Sequence, residues 1–384
     1  MKRTITTIIL AFGVTWAWAQ NINANKYLAT DSVDFSIQGI TDNKVDSVVL
    51  WQTQPSANGM TKYPTSNGNF YIKGRLPQGV FVQIGDGLGN DVNVIIDAEP
   101  ITVNMLEGEI KGSAMNNRLN EYQHKQWLLG KQVYSIKKSV SRDDWRKILY
   151  SATGDMNADE IPQFTNQIAI VKETIAGQER IHKAAIEENK DNIIPVFCLA
   201  NNFPEYSYEQ LKEMLSPECA YYLHPALDMA RNYLDGLSKR QPGRDYIDFA
   251  SKDSLGTTHR LSDYVGKGSY VLIDFWASWC GPCVKIIPEV KTLHEKYESK
   301  GLKVIGVSLD KNRDAWVKAI KKYELPWLNL SDLKYWECEA VVVYDLISIP
   351  ETILISPEGK IIANGFVDVK VKLENLFEDK KIIY

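Results

Sequence analysis

Two cysteines separated by two residues, Cys280 and Cys283, are the side chains of this 384-residue chain best suited to covalent chemistry. They follow the apolar run 270–276, which is typical of a buried strand, and from Pro282 onward apolar residues recur at helical spacing. Cys280 is therefore expected at the start of a helix, where unpaired N–H groups and the helix dipole favour a thiolate. The thiolate is the nucleophile of disulfide exchange, and Cys283, one turn further on, can attack the resulting mixed disulfide. The spacing predicts a pair that cycles between dithiol and disulfide.

Three other uses of such a pair have less support in the sequence. A zinc site needs two more ligands, but the other cysteines are scattered and no histidine stands at ligand spacing, so no metal is predicted. Haem attachment requires a histidine directly after the second cysteine, where Val284 stands. A purely structural disulfide is still an open alternative, although so short a loop gains little from closure.

The segment 274–283 closely resembles the active site of the thioredoxins, and the resemblance extends from about Phe249 to the C-terminus. The lead-in 256–267 is similar to the redoxin branch, which includes extracytoplasmic thiol–disulfide proteins of cytochrome c maturation. A second landmark, 348–359, resembles the loop in which a cis-proline packs against the disulfide. The resemblance implies a C-terminal α/β thioredoxin fold over 245–384 and thiol–disulfide oxidoreductase activity.

The resemblance also assigns roles to individual residues. Cys280 would be the attacking thiolate, Cys283 the resolving thiol, and Asp274 the buried carboxylate that exchanges a proton with Cys283. Burial in an apolar strand should raise the pKa of Asp274, which suits proton transfer near neutral pH, although a purely structural aspartate is the alternative. Gly281 and Pro282, between the cysteines, would tune the redox potential. Trp279 would be an apolar docking surface beside the disulfide. Ile349 and Pro350 would form the loop, with a cis peptide bond, whose backbone pairs with a substrate strand. Trp276 is interpreted as packing.

Two positions depart from the pattern of relatives. Members of the cytochrome c maturation group often carry a glutamate three residues after the second cysteine, where this chain has Ile286. Thioredoxins often pair the buried aspartate with a lysine on the next strand, where Gly306 is expected here. Proton transfer to and from the resolving thiol should therefore depend on Asp274 alone. Without a neighbouring cation, the pKa of Asp274 should be higher than that of the matching aspartate in thioredoxins that have the lysine.

The N-terminus predicts export. A short basic stretch, an apolar run and an Ala-X-Ala cleavage site before Gln20 make residues 1–19 a secretory signal peptide, with a retained N-terminal anchor as the alternative. There is no cysteine near the cleavage site, so a lipid anchor is not indicated. We expect a periplasmic or cell-envelope protein. A net charge of −4 gives no reason to expect nucleic-acid binding.

Two further regions precede the redox segment. Residues 25–112 read as an all-β, sandwich-like domain, with short strands around 48–51, 70–72, 80–84, 92–96 and 101–105 and turns at Asn58-Gly59, Asn67-Gly68 and 85–89. This part resembles an uncharacterised β-domain that precedes thioredoxin modules in secreted bacterial proteins. The glycine-rich run 85–89 lacks phosphate-loop spacing and predicts a hairpin turn. Residues 113–240 read as helical, with 241–244 as a linker, a possible Cys198–Cys219 disulfide and a buried Cys338.

These observations predict a periplasmic protein-disulfide reductase. Its partners would be disulfide-containing protein substrates and a membrane electron donor, and no cofactor is expected beyond the cysteine pair. A disulfide oxidase or isomerase is the second reading. The alternative from a different functional class is an envelope binding or assembly protein with an auxiliary redox site. A peroxidase ranks third among the redox activities, because the local motif of peroxiredoxins is absent.

Overall fold

The computed structural model describes residues 32–52, 60–154 and 156–378, so the predicted signal peptide and the Asn58-Gly59 turn lie outside it. The chain divides between Arg231 and Asn232 into two compact units. Along the chain, a β-rich region precedes a helical region and then an α/β region with a five-stranded sheet, which confirms the predicted fold class. In the described residues no helix is long and apolar enough to cross a membrane.

The first unit begins with two four-stranded sheets. Their strands are β1 Ser32–Ile40, β2 Ser47–Gln52, β3 Met60–Pro64, β4 Asn69–Pro77, β5 Phe81–Gly85, β6 Asp91–Ile95, β7 Ile101–Asn104 and β8 Glu109–Lys111. One sheet has the order β4-β1-β7-β8 and the other β3-β2-β5-β6. Buried and exposed residues alternate along β1, β4 and β7, as expected of strands with one face against a core.

Turn chemistry explains two of the tight turns in this unit. Asn67 and Gly68 both have positive φ, 50° and 74°, and form the two-residue turn that Asn-Gly favours between the bridged residues Ser66 and Asn69, where the chain passes from β3 in one sheet to β4 in the other. The glycine-rich run 85–89 turns β5 into β6, which confirms a hairpin and not a phosphate loop. All five predicted strands are present, whereas β1, β3 and β8 were not among the predictions.

The helical region of the first unit starts one residue after the N-cap Ser113, whose side chain accepts a hydrogen bond from the backbone N–H of Asn116. Its helices are α1 Ala114–Ser139, α2 Arg142–Thr153, α3 Thr165–Glu187, α4 Val196–Asn202, α5 Tyr208–Met214 and α6 Asp228–Lys239, and the unit boundary falls inside α6. Cys198 and Cys219 are buried free thiols in the structure.

The second unit contains a five-stranded mixed sheet and a short hairpin. Its elements are β9 Ala250–Lys252, β10 Thr258–Arg260, β11 Tyr270–Trp276, α7 Gly281–Tyr297, β12 Leu302–Ser308, α8 Arg313–Tyr323, β13 Leu328–Leu330, α9 Glu339–Val343, β14 Glu351–Ile355, β15 Ile361–Asn364 and α10 Phe366–Phe377. The sheet order is β13-β12-β11-β14-β15. Strands β11, β12 and β13 run parallel, and β14 runs antiparallel to both of its neighbours.

Strand β11 lies at the centre of this sheet and of its core. Every residue of β11 after Tyr270 is buried, as the continuous apolar run predicted. Its carboxyl end leads directly into the segment that carries the two cysteines, so the core positions the site.

Candidate active site at the carboxyl end of strand β11

Cys280 is the N-cap residue of α7, and its sulfur accepts a hydrogen bond from the backbone N–H of Cys283 at 3.1 Å. The two cysteines form a disulfide with a Cα–Cα distance of 5.2 Å. Pro282 sits in the first helical turn, where its missing N–H costs no hydrogen bond. An added Cβ at Gly281 would meet no atom within 4 Å, so nothing steric demands glycine there. When the disulfide is reduced, a thiolate at Cys280 lies next to backbone N–H donors and the positive end of the helix dipole, which stabilise its charge.

The loop around Pro350, which lies far from the cysteine pair in the sequence, is next to it in the structure. The Ile349–Pro350 peptide bond is cis, as the resemblance implied. The carbonyl oxygen of Ile349 lies 3.9 Å from the Cys280 sulfur. This loop therefore lies directly beside the disulfide and ends at Glu351, the first residue of β14.

Asp274 lies in the middle of β11 and is 3% exposed. Burial raises its pKa from 3.8 to about 7, and no charged neighbour contributes to this rise. Gly306 of β12 stands directly opposite Asp274, which confirms that a glycine occupies the position expected from the sequence. Trp276 is buried, in keeping with a packing role.

An aromatic cluster flanks the disulfide on the outside. Trp279 is 48% exposed, and its ring centroid lies 5.2 Å from that of Tyr335. The Nζ of Lys311 lies 4.6 Å from the centroid of the Tyr335 ring. Tyr335 and Leu333 both have positive φ, 63° and 60°, a backbone conformation that non-glycine residues adopt at a cost. Sequence reasoning identified Trp279 but not Tyr335, since no periodicity marks the loop that carries it.

A buried carboxylate braces the segment before Cys280. Asp310, 2% exposed, accepts hydrogen bonds from the backbone N–H of Ser278 at 2.9 Å and from its hydroxyl at 2.6 Å. The hydroxyl of Ser308 donates to the same carboxylate at 2.7 Å. Asp310 was missed, although its place just after β12 was a usable signal, because carboxyl ends of neighbouring parallel strands meet at one sheet edge.

A buried arginine holds the cis-proline loop from the other side. Arg240 is 1% exposed, and its Nη1 donates to the carbonyl oxygens of Tyr344 at 2.6 Å and Asp345 at 3.0 Å. Its Nη2 lies 4.0 Å from Oε2 of Glu351, which is itself 6% exposed. Arg240 therefore binds the backbone at the start of the loop 344–351, and Glu351 is the last residue of that loop. Neither was singled out from the sequence, since they are far apart along the chain.

The part of the chain that carries the cysteine pair is similar to known proteins. The AhpC/TSA family model matches residues 242–364. The thiol-disulfide oxidoreductase ResA of Bacillus cereus is 31% identical over 132 residues, which is 34% of this chain and 73% of that protein. The chain belongs to the AhpC/TSA family. The predicted redoxin resemblance is thereby confirmed.

Two solved structures are also similar to the redox unit of this AhpC/TSA member. A thioredoxin domain of a thiol-disulfide oxidoreductase from Bacteroides vulgatus is 30% identical, covering 35% of this chain and 97% of its own, with a TM-score of 0.33. A thiol-disulfide oxidoreductase from Bacteroides fragilis is 33% identical, covering 35% of this chain and all of its own, also with a TM-score of 0.33. Among the described residues no cluster of three or more His, Cys, Asp or Glu side chains could hold a metal ion.

The buried pair of Arg240 and Glu351 generates a stability prediction. Arg240→Met should lower the free energy of unfolding by about 3–5 kcal/mol, because it removes one partner of a buried ion pair together with the donor to the carbonyl oxygens of Tyr344 and Asp345. The double variant Arg240→Met/Glu351→Gln should recover much of that loss. Urea unfolding of the full chain measures both, with Lys370→Met as control: Lys370 pairs with Glu289 on the surface, and exposed pairs contribute about 1 kcal/mol or less. Equal losses for Arg240→Met and Lys370→Met would contradict the prediction.

The raised pKa of Asp274 predicts how stability varies with pH. The folded state binds this proton more tightly than the unfolded chain, so the stability of the protein falls as pH rises from about 4 through about 7. Asp274→Asn should therefore be more stable than the natural chain at pH 8, by on the order of 4 kcal/mol, and the difference should shrink toward pH 4. Urea unfolding at the two pH values measures it. The exposed Asp314→Asn serves as control, and a pH-independent difference for Asp274→Asn would rule the interpretation out.

Proposed function

We propose that this chain, a thiol–disulfide oxidoreductase of the AhpC/TSA family, is a protein-disulfide reductase that works outside the cytoplasm. The observation that carries the proposal is the position of the Cys280 sulfur, between the start of α7 and the carbonyl of Ile349. There a thiolate is stabilised by backbone donors, and an extended substrate segment can pair with the backbone of the cis-proline loop. The signal-peptide pattern of residues 1–19 supports export.

The reaction transfers two electrons from the cysteine pair to a substrate disulfide. The Cys280 thiolate attacks one substrate sulfur, a mixed disulfide forms, and the other substrate sulfur leaves as a thiolate that takes up a proton. The Cys283 thiol then gives its proton to the Asp274 carboxylate. Its thiolate attacks the Cys280 sulfur, so the mixed disulfide breaks, the second substrate sulfur is released, and the enzyme is left with the Cys280–Cys283 disulfide.

The direction of electron flow follows from the dipeptide between the cysteines. Gly281 and Pro282 match the pattern of reducing thioredoxins, with potentials of about −270 mV, better than that of strong oxidants, at about −120 mV. A reductase in an oxidising compartment must be recharged after each turnover, so the proposal includes a membrane electron donor that reduces the Cys280–Cys283 disulfide.

The aromatic cluster provides the docking surface for substrate. Exposed Trp279 and half-buried Tyr335 present an apolar face next to the disulfide, and large aromatic side chains contribute strongly to protein recognition at little entropic cost. The ammonium group of Lys311 over the Tyr335 ring adds positive charge at the rim of this face.

Trapping is the decisive test of the reaction. Cys283→Ala should accumulate substrate proteins as mixed disulfides on Cys280, because the resolving thiol is gone, whereas Cys280→Ala should trap none. Non-reducing gels of envelope extracts, followed by mass spectrometry, identify the partners. If neither variant traps a protein and the purified full chain fails to reduce a disulfide substrate, the envelope-binding reading replaces this one.

The reduction potential tests the direction. Equilibration of the full chain with glutathione or dithiothreitol buffers should give a value near −270 mV. A value near −120 mV would identify an oxidase and overturn the reductase proposal.

Docking on Trp279 predicts a selective loss of substrate affinity. Trp279→Ala should raise KM for a protein disulfide about tenfold, with little change in the reduction potential, because the ring lies outside the disulfide itself. Steady-state kinetics with a protein and with a small disulfide measure this, and only the protein substrate should be affected. Leu255→Ala, which removes another exposed apolar side chain, is the control. An unchanged KM would contradict the docking role.

A further inference from the structure

The loop that carries the cis peptide bond begins at an unusual helix end. Tyr344 is the C-cap residue of α9, and two backbone hydrogen bonds close the helix: the N–H of Asp345 donates to the carbonyl oxygen of Val342 at 3.2 Å, and that of Leu346 to the carbonyl oxygen of Val341 at 3.0 Å. This pattern is the Schellman motif, which places a left-handed residue at the position of Asp345, and Asp345 has a φ of 47°. Glycine is usual at this position, because a residue with a side chain adopts it at a cost.

The side chain of Asp345 makes contact with the end of α6. Its carboxylate forms an ion pair with the ammonium group of Lys239. It also lies against Gly236, because a Cβ added to that glycine would be 2.8 Å from the Cβ of Asp345 and 2.9 Å from its carbonyl oxygen. Helix α6 therefore approaches Asp345 as closely as a residue without a side chain permits. Glycine at position 345 would make no ion pair and would leave this contact open.

Arg240, the residue directly after α6, contacts both ends of the same loop. Its Nη1 donates to the carbonyl oxygens of Tyr344 and Asp345, and its Nη2 lies 4.0 Å from Oε2 of Glu351, where β14 begins. The guanidinium group also places a positive charge at the C-terminal end of α9, where the helix dipole favours it. The backbone of Arg240 is itself fixed, because its carbonyl oxygen accepts a hydrogen bond of 2.8 Å from Nδ2 of Asn364 on β15. Arg240 thus connects the sheet to the loop.

The stretch between these two held points is short and faces the disulfide. It consists of residues 346–350, of which Leu346 is buried and the other four are exposed or half-buried. The carbonyl oxygen of Ile349, 3.9 Å from the sulfur of Cys280, belongs to this stretch. Five residues anchored at both ends have few conformations available, so their backbone is held beside the disulfide before any substrate arrives.

We propose that Gly236, Lys239 and Arg240, which we term the α6 clamp, are positioning residues that preorganise residues 346–350 for pairing with a protein substrate. The proposal rests on the proposed function, because it assigns this loop to substrate binding. A loop that is already ordered loses no further entropy on binding, and ordering the backbone of one residue costs a free energy equivalent to about tenfold in affinity. A small disulfide does not pair with the loop backbone. The clamp therefore sets the affinity for protein substrates and not for small ones.

Gly236→Ala tests the clamp without removing a hydrogen bond. The added methyl group meets Asp345 and displaces the loop, whereas the helix is not weakened, because alanine is the better helix former. The KM of the full chain for insulin, used as the protein disulfide, should rise about tenfold. Both kcat and the rate with an aromatic disulfide that releases a coloured thiol should be unchanged. Asn232→Ala, at an exposed position of the same helix, is the control.

Two further variants separate positioning from stability. Asp345→Gly relieves the left-handed backbone but loses the ion pair with Lys239, so the chain should be about as stable as the natural one while KM for insulin rises about threefold. Arg240→Met/Glu351→Gln should be more stable than Arg240→Met, yet the loop carbonyls still lack their donor, so KM for insulin should be equally raised in both. If KM simply follows the free energy of unfolding across these variants, the clamp is structural only and the proposal is wrong.

Hydrogen exchange measures the order of the loop without any reaction. Backbone amides of residues 345–349 should exchange faster in Gly236→Ala than in the natural chain and in Asn232→Ala, while those of β12 should not change. Unaltered exchange in the loop, or faster exchange with an unaltered KM for insulin, would overturn the clamp proposal alone. Failure of the proposed function has a different signature, because the natural chain would then leave insulin unreduced, and the positioning role would fall with it.

Discussion

The burial of strand β11 from Val271 to Trp276 is the constraint on which the redox unit depends. The strand forms ladders with β12 on one side and β14 on the other, so its path through the core is fixed. Two consequences follow at once. The segment that leaves its carboxyl end has little freedom in where it delivers Cys280, and the polar residue in its middle, Asp274, has no access to bulk water. Nucleophile position and carboxylate desolvation therefore have the same cause.

Residues outside the Cys-Gly-Pro-Cys motif also hold the backbone on either side of the disulfide in place. Asp310, at the end of β12, accepts hydrogen bonds from Ser278 two residues before Cys280. Arg240 donates to the backbone that leads into the cis-proline loop. These contacts involve buried charges held by several hydrogen bonds each, which makes the local geometry stiff. A reactive sulfur needs such support, since disulfide exchange requires the incoming sulfur to approach along the bond that breaks.

The local parts of this arrangement could be read from the sequence, and the non-local parts could not. The strand before Cys280, the helix after it and the pairing of Asp274 with Gly306 follow from short motifs or from strand order, whereas the cis bond at Pro350 was expected only from the resemblance to a known family. Arg240, Tyr335 and Asn329 follow from none, because each reaches the site through tertiary packing and carries no period or spacing that marks it. Strand β3 is short and mostly exposed, so its weak apolar pattern gave little to predict.

The row of residues in register with Asp274, namely Gly306, Asn329 and Thr352, is where stability and function oppose each other. Apolar side chains at 329 and 352 would remove two buried polar atoms without a partner from this face, and such replacements are commonly neutral or stabilising. Gly306 also interrupts a strand whose neighbours, Ile305 and Val307, are strong β formers, at a cost in backbone entropy. A valine there would suit the strand, but it would occupy the space on which Trp276, Trp327 and Asn329 converge. A sheet selected for stability alone would carry a β-branched residue at this position. The glycine instead leaves the strand opposite Asp274 without a side chain, so the pKa of the buried carboxyl group depends on its desolvation and not on a charged neighbour from β12.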